Sequence, residues 1–258
     1  MKVAILAGGY GTRISEESHL KPKPMIEIGE KPIIWHIMKY YSAFGFNEFV
    51  ICCGYKGYMI KEYFADYYMH RSDITFDFSD GGKMMVHANV SEPWKVTLVD
   101  TGAESHTGGR IKRIAPFIGK ERFMITYGDG VSNVDLNALL KQHDESDKTL
   151  TLTGIQPGMR FGVLDIEGHT ITAFNEKAKE DGGWVNGGFM VAEPELFGYI
   201  ENDYTILERD PMERLSTQRK LGVYKHYGHW RCMDTQRDKK DLEDFWNRGE
   251  ASWKVWDD

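Results

Sequence analysis

Gly8-Gly9-Tyr10-Gly11-Thr12-Arg13 follows the apolar run Val3-Ala4-Ile5-Leu6-Ala7, and Lys23 stands ten residues beyond Arg13 in Lys21-Pro22-Lys23-Pro24. Glycines where a strand stops let backbone N–H groups close on a ligand with no Cβ in the way, and Arg and Lys then bring full positive charge to an anion held there. The chemistry is that of a phosphate-handling loop. Its spacing is neither the dinucleotide fingerprint G-x-G-x-x-G nor the P-loop G-x-x-x-x-G-K-S/T.

Two further constellations could do related chemistry. Tyr127-Gly128-Asp129-Gly130 places a carboxylate just past an apolar strand, with a glycine on either side for close approach of substrate or metal. Glu176-Lys177 and, nine residues on, Asn186-Gly187-Gly188 combine one cation with a tight turn, which suits a second, smaller phosphate and the hydroxyls of its sugar. Each of these short strings is weak alone, since Gly-Asp-Gly is an ordinary turn and an exposed Lys is usually solvated.

Leu6-Ala7-Gly8-Gly9-x-Gly11-Thr12-Arg13 with Lys23-Pro24-Met25 resembles the N-terminal motif of the sugar-1-phosphate nucleotidylyltransferases. The resemblance implies a nucleotide cradle of Leu6, Ala7, Gly8, Gly9, Gly11, Thr12 and Gly128, with Arg13 and Lys23 as the catalytic cations. It implies a Mg²⁺ site of Asp129 and Asp234, the latter in the W-x-x-x-D-T context of Trp230 to Thr235. It also implies sugar-phosphate binding by Glu176, Lys177, Asn186 and Gly187, and a base site near Ser105, Thr107, Gly108, Gly109 and Arg110. Thr107 reads equally well as the N-cap of the next helix. Strings such as Ile51-Cys52-Cys53-Gly54-Tyr55-Lys56-Gly57-Tyr58 and Thr107-Gly108-Gly109-Arg110 mark a branch of the family whose substrates are CTP and glucose 1-phosphate. The alternatives are dTTP, UTP or another sugar phosphate, and a regulatory module that binds a nucleotide sugar without catalysis. Tyr10, Asn175 and Ala178 depart from the family's pattern, and the family's habit of assembly implies a homo-oligomer.

The chain has 258 residues and a net charge of -7, which excludes the broad basic face of a nucleic-acid binder and makes Arg13, Lys21 and Lys23 a local cationic island. No run approaches the ~18 apolar residues of a membrane span. Three cysteines at 52, 53 and 232 form no metal pair and no even disulfide set, so a reducing, cytoplasmic setting is expected.

These residues need a frame that brings strand ends together. Residues 2–7 read as a buried strand, Pro32 opens a helix with Ile33, Ile34, Ile37, Met38 and Tyr41 on one face, and Phe49 to Cys53 is a second strand. Ile60, Tyr63, Phe64, Tyr67 and Tyr68 predict a second helix. The alternation predicts an α/β fold, a Rossmann-like, mixed and mainly parallel sheet wrapped by helices, with its site beyond the carboxyl ends of the strands. Residues 73–99 break this pattern and read as a β-hairpin insertion around Ser79-Asp80-Gly81-Gly82. Helices are then expected near 109–118, 135–144 and 237–247, and strands at 123–127, 149–154, 162–166, 170–174 and 185–192. No linker or repeat interrupts the chain, so one domain over residues 1–258 is expected, closed by Trp246, Trp253 and Trp256, which with the hairpin offer surfaces for subunit contact or for packing within the chain.

Overall fold

The apolar run at the N-terminus is buried on both sides. In the computed structural model, which describes residues 1–156, 163–167, 170–175 and 183–257, strand β1 (Lys2–Leu6) alternates its side chains between two cores. Val3 and Ile5 join Ile33, Ile34, Ile37, Tyr41, Phe49 and Trp253 on one face, whereas Ala4 and Leu6 join Ile111, Ile114, Leu196 and Leu215 on the other. A strand covered on both faces must be apolar at every position, which is why Val3 to Leu6 shows no alternation.

Helix α1 (Ile33–Ala43) starts after Pro32, whose φ of -61° is already that of a helix, and it covers the first face. The chain continues through β2 (Glu48–Cys53) into helix α2 (Gly57–His70), which buries Ile60 fully but leaves Tyr68 exposed, so the expected aromatic face is narrower than its sequence pattern. Strands β3 (Ser72–Asp77) and β4 (Lys83–Asn89) form the hairpin. The insertion ends there. Residues 95–100, expected within it, are instead strand β5 (Lys95–Asp100), which pairs in parallel with β2 at the sheet edge. Trp94, packed on Phe49 and Tyr67 and donating to the Ser42 hydroxyl, steers the chain back to the sheet.

Helix α3 (Thr107–Arg113) begins earlier and ends sooner than expected, because Pro116 forces a separate short turn, Ala115–Ile118. Strand β6 (Phe123–Tyr127), strand β7 (Gly130–Ser132), helix α4 (Leu136–Asp144) and strand β8 (Leu150–Ile155) follow. Among the described residues, strands β9 (Val163–Glu167) and β10 (Thr170–Asn175) pair with each other and with no other strand. The expected strand 185–192 is divided into β11 (Val185–Asn186) and β12 (Met190–Ala192), since Gly188 and Phe189 both take positive φ. Helix α5 (Asp210–Thr217), strand β13 (Leu221–His226) and strand β14 (Trp230–Cys232) were not anticipated, and helix α6 (Gln236–Asn247) ends the series.

The main sheet runs β5-β2-β1-β6-β12-β8, with β11 continuing the β12 edge of β8 and β13 on its other side. β5, β2, β1 and β6 are parallel, as are β8 and β13, whereas β12 is antiparallel to both neighbours. The chain moves outward from β1 through β2 to β5 and then returns to β6 on the opposite side of β1. Loops after β1 and β6 therefore diverge, opening a crevice at the carboxyl ends of adjacent strands. No described helix is long and apolar enough to cross a membrane.

Candidate active site

A cleft of about 420 Å³ fills that crevice. Its lining includes Leu6, Ala7, Gly8, Gly9, Gly11, Thr12 and Arg13 from the loop after β1, Lys23, Gly128 and Asp129 after β6, and Ser105, Thr107 and Arg110 at the start of α3. Glycine is required at two points by crowding. A Cβ on Gly8 would lie 2.1 Å from Arg110 Nη1, and one on Gly128 would lie 2.9 Å from the Leu6 carbonyl oxygen.

Lys23 is buried, and its ammonium donates to Asp129 Oδ2 and to Asp234 Oδ1, each at 2.6 Å. Arg13 Nη1 donates to the other Asp234 oxygen at 2.6 Å, and the Cys232 thiol lies 3.3 Å from that same oxygen. Burial works against charge on Lys23, but the two carboxylates more than offset it and hold its pKa above the ordinary lysine value. Burial raises the Asp234 pKa, and the Lys23 and Cys232 hydrogen bonds with the Arg13 charge outweigh it, so the carboxyl is held below its usual range. Burial and the adjacent Asp234 push the Cys232 thiol up to about 12, leaving it a neutral donor.

Asp129 and Asp234 meet because of a ladder that the sequence does not advertise. β14 pairs antiparallel with β7, setting Cys232 opposite Gly130, and the Met233 N–H donates to the Asp129 carbonyl at 2.9 Å. Thr235 then caps α6 in a reciprocal box with Asp238, and Asp238 also accepts the Asp234 N–H at 3.2 Å. Two carboxylates within 2.6 Å of one ammonium are close enough to share one ion. Among the described residues no group of three or more His, Cys, Asp or Glu is placed to hold a metal. A pair of carboxylates without imidazole fits magnesium, which keeps water and phosphate oxygens in its shell.

Arg110 crosses from α3 beneath the glycine loop. Its guanidinium donates to the carbonyls of Gly8 (2.9 Å), Gly102 (2.7 Å) and Ala103 (3.1 Å) and to the Thr101 hydroxyl (2.8 Å). Burial lowers its pKa from the usual guanidinium range. Tyr10 packs its ring on Tyr55, 5.1 Å between centroids, and hydrogen-bonds Glu104 across the cleft.

Not every expected residue faces the cleft. Gly108 and Gly109 turn toward the 203–205 segment, where added Cβ atoms would lie 2.7 Å from the Thr205 carbonyl oxygen and 2.2 Å from that of Asp203. Thr107 is not an N-cap: His106 holds that position, and the Thr107 hydroxyl instead donates to Glu208 and accepts the Leu207 N–H. Asn186 accepts the Gly188 N–H at 2.9 Å and donates to the Tyr127 phenol at 3.0 Å, whereas Gly187 packs on Ile155. Glu176 and Lys177 lie outside the described residues. Tyr127, Glu104 and Tyr10 line the cleft, and Glu208 contacts its wall, without having been singled out as site residues. The signal for Tyr127 was its place directly before Gly128-Asp129; Glu208 had none.

A nucleotidyl transferase family model matches residues 2–249. Glucose-1-phosphate cytidylyltransferase of Salmonella typhi is 52% identical over 258 residues, covering 100% of both chains, and the probable glucose-1-phosphate cytidylyltransferase of Bacillus subtilis is 43% identical over 99% of this chain and 100% of its own. Among solved structures, HddC from Yersinia pseudotuberculosis superposes with a TM-score of 0.68 at 21% identity, over 95% of this chain and 99% of that one, a likeness of fold. With the glycine loop, its cations and two converging aspartates in one crevice, and with a match over nearly its whole length, the chain belongs to the nucleotidyl transferase family.

Proposed function

We propose that the protein transfers a cytidylyl group from CTP to α-D-glucose 1-phosphate, giving CDP-glucose and pyrophosphate. The 52% identity to the Salmonella typhi enzyme across every residue carries this reading, and the convergence of Arg13, Lys23, Asp129 and Asp234 supports it. A phosphate oxygen of the sugar phosphate attacks the α-phosphorus of CTP. The bond from that phosphorus to the oxygen bridging the β-phosphate breaks, and pyrophosphate leaves with the electron pair.

The nucleophile is already an anion, so the protein needs no general base; it must bring two mutually repelling phosphates together. At ~4 Å two unit charges repel by roughly 4 kcal/mol at an effective dielectric near 20. In this reading the backbone of Gly8, Gly9 and Gly11 with the Thr12 hydroxyl cradles the triphosphate, Arg13 serves its β and γ phosphates, and Lys23 serves the α-phosphate. Lys177 serves the sugar phosphate, and Glu176 and Asn186 serve the sugar hydroxyls. Asp129 and Asp234 would hold magnesium, which when bound supplies further neutralisation of phosphate charge. The formal charges of Arg13, Lys23, Asp129 and Asp234 cancel, so the cluster itself adds no net charge to the cleft. The same reading takes copies of the chain to associate, with exposed Phe76, Phe78, Met84 and Met85 of the hairpin as the apolar surface for contact.

The test is pyrophosphate release with glucose 1-phosphate, Mg²⁺ and each of CTP, UTP, dTTP and GTP. Cytosine presents an amine donor where uracil presents a carbonyl, and one mismatched buried hydrogen bond is worth about 5- to 150-fold. CTP is expected to lead by such a factor. Faster release with another nucleotide would reassign the base, and no release with any would favour a binding module.

A further inference from the structure

Behind the cleft, three polar side chains form one continuous chain of hydrogen bonds centred on a carboxylate. Thr107, the first residue of α3, donates its hydroxyl to Glu208 Oε2 at 2.6 Å, and Tyr127, the last residue of β6, donates its phenol to Oε1 at 2.6 Å. Asn186 Nδ2 donates to the same phenolic oxygen at 3.0 Å, and the Leu207 N–H donates to Thr107 Oγ1 at 2.9 Å. Thr107 and Tyr127 line the cleft, but Glu208 does not.

A carboxylate only accepts hydrogen bonds, so both hydroxyls must point at Glu208, and each oxygen is then left to accept from its other neighbour. Every donor direction in the chain follows from that one charge. Charge-assisted bonds are the short, strong kind, and here they tie the start of α3 to the strand end two residues before Asp129. They also set Tyr127, whose ring lies against Gly188 so closely that a Cβ there would be 2.9 Å away.

We propose that Glu208 is a positioning residue of the transfer reaction, holding the α3 wall and the Asp129-bearing wall of the cleft in register through Thr107 and Tyr127. This rests on the transferase reading above. It touches no reacting atom, so its effect must pass through the two hydroxyls.

The experiment compares wild type with Glu208→Gln, Glu208→Ala, Tyr127→Phe and the Glu208→Ala/Tyr127→Phe double variant in thermal unfolding, CTP calorimetry and steady-state kinetics in both substrates. Misplacement of a cleft wall predicts a fall in kcat/KM of about tenfold or more for Glu208→Ala, with melting temperature kept within a few degrees. Glu208→Gln should recover to within about threefold of wild type, because an amide oxygen and an amide N–H can still meet two hydroxyls that are free to reverse. The double variant should lose less than the product of the two single losses, because both changes remove the bond between Tyr127 and Glu208 and only the Asn186 bond to the phenol is lost in addition. A folded Glu208→Ala with wild-type kinetics and CTP affinity, or losses that multiply in the double variant, would overturn the proposal. Should Glu208→Ala not fold, Tyr127→Phe, which breaks the same bond to Glu208, carries the test: wild-type kinetics and CTP affinity in that folded variant would overturn the proposal. Wild type without turnover counts against the transferase reading, and CTP affinity then reports on Glu208 by itself.

Discussion

Lys23 has two rival sets of partners: the aspartates that now flank its ammonium, and the phosphates that the glycine loop is built to receive. Its burial makes the rivalry matter, because a charge withdrawn from water needs a counter-charge on one side or the other. Lys23→Ala should therefore lower turnover by roughly 10² to 10³, the scale for loss of one preorganised charge stabiliser. Arg13→Ala should do the same, although Arg13 is largely exposed, since its guanidinium pairs with Asp234 at the same locus. Near-normal turnover in either folded variant would remove that residue from the mechanism. A second consequence concerns the ion. Without Lys23, two carboxylates face Arg13 alone, and the site gains a net negative charge. Lys23→Ala should bind Mn²⁺ in the absence of nucleotide at least about tenfold more tightly than wild type, as read by water-proton relaxation. Equal affinity would mean that Asp129 and Asp234 are not where the metal goes.

The glycine loop keeps its shape because neighbouring elements press on it. Gly8 accepts from Arg110 on α3 and from the Tyr55 N–H just past β2, and a Cβ on Gly54 would lie 2.6 Å from the Gly8 carbonyl oxygen. That is backbone against backbone, so no rotamer can relieve it. Gly54→Ala should displace the loop, cost about 1–3 kcal/mol in thermal unfolding and raise the KM for CTP severalfold. Gly9 has nothing within 4 Å of its would-be Cβ. Gly9→Ala should leave stability unchanged while still weakening CTP through the lost approach to phosphate; intact CTP binding in both variants would mean the loop is not the cradle. Gly54 was legible only as part of a family string, whereas Gly8 and Gly11 were legible as chemistry, because a strand that stops at glycines beside cations has a local reason. The same division runs through the fold. β1, β2, β6, α1 and α4 announce themselves by buried runs or periodicity, and the structure adds that Asp135 caps α4. β5 was hidden in the insertion because its pairing with β2 is long-range, and β7 and β14, at three residues each, are strands only by virtue of each other. Asp234 could be named from its motif; that it shares Lys23 with Asp129 depends on that short ladder.

At the scale of the whole molecule, the C-terminal segment packs its tryptophans around one histidine of the first core. His36 on α1 is fully buried, bonds the Ile28 carbonyl at 2.7 Å through Nε2, and packs against Trp35, Trp246, Trp253 and Trp256. Trp253 is itself 1% exposed, so the aromatic tail packs within the chain rather than offering a free surface. Burial drives the His36 pKa down to about 4. Between that value and the ordinary ~6.5 the unfolded chain binds the proton and the folded one does not, so stability must rise with pH across this window and fall as pH drops through it. The full span corresponds to about 3 kcal/mol, order of magnitude, reached near pH 4 and absent above pH 7. His143, His226 and His229 are also held down by burial and act in the same direction. Urea unfolding of wild type from pH 7.5 to 5 should therefore show falling stability. His36→Gln keeps a donor for the Ile28 carbonyl but cannot titrate, so it should start lower at pH 7.5 and show a visibly shallower slope. An unchanged slope would assign the acid sensitivity to the other histidines and free the tail's attachment from the charge state of His36.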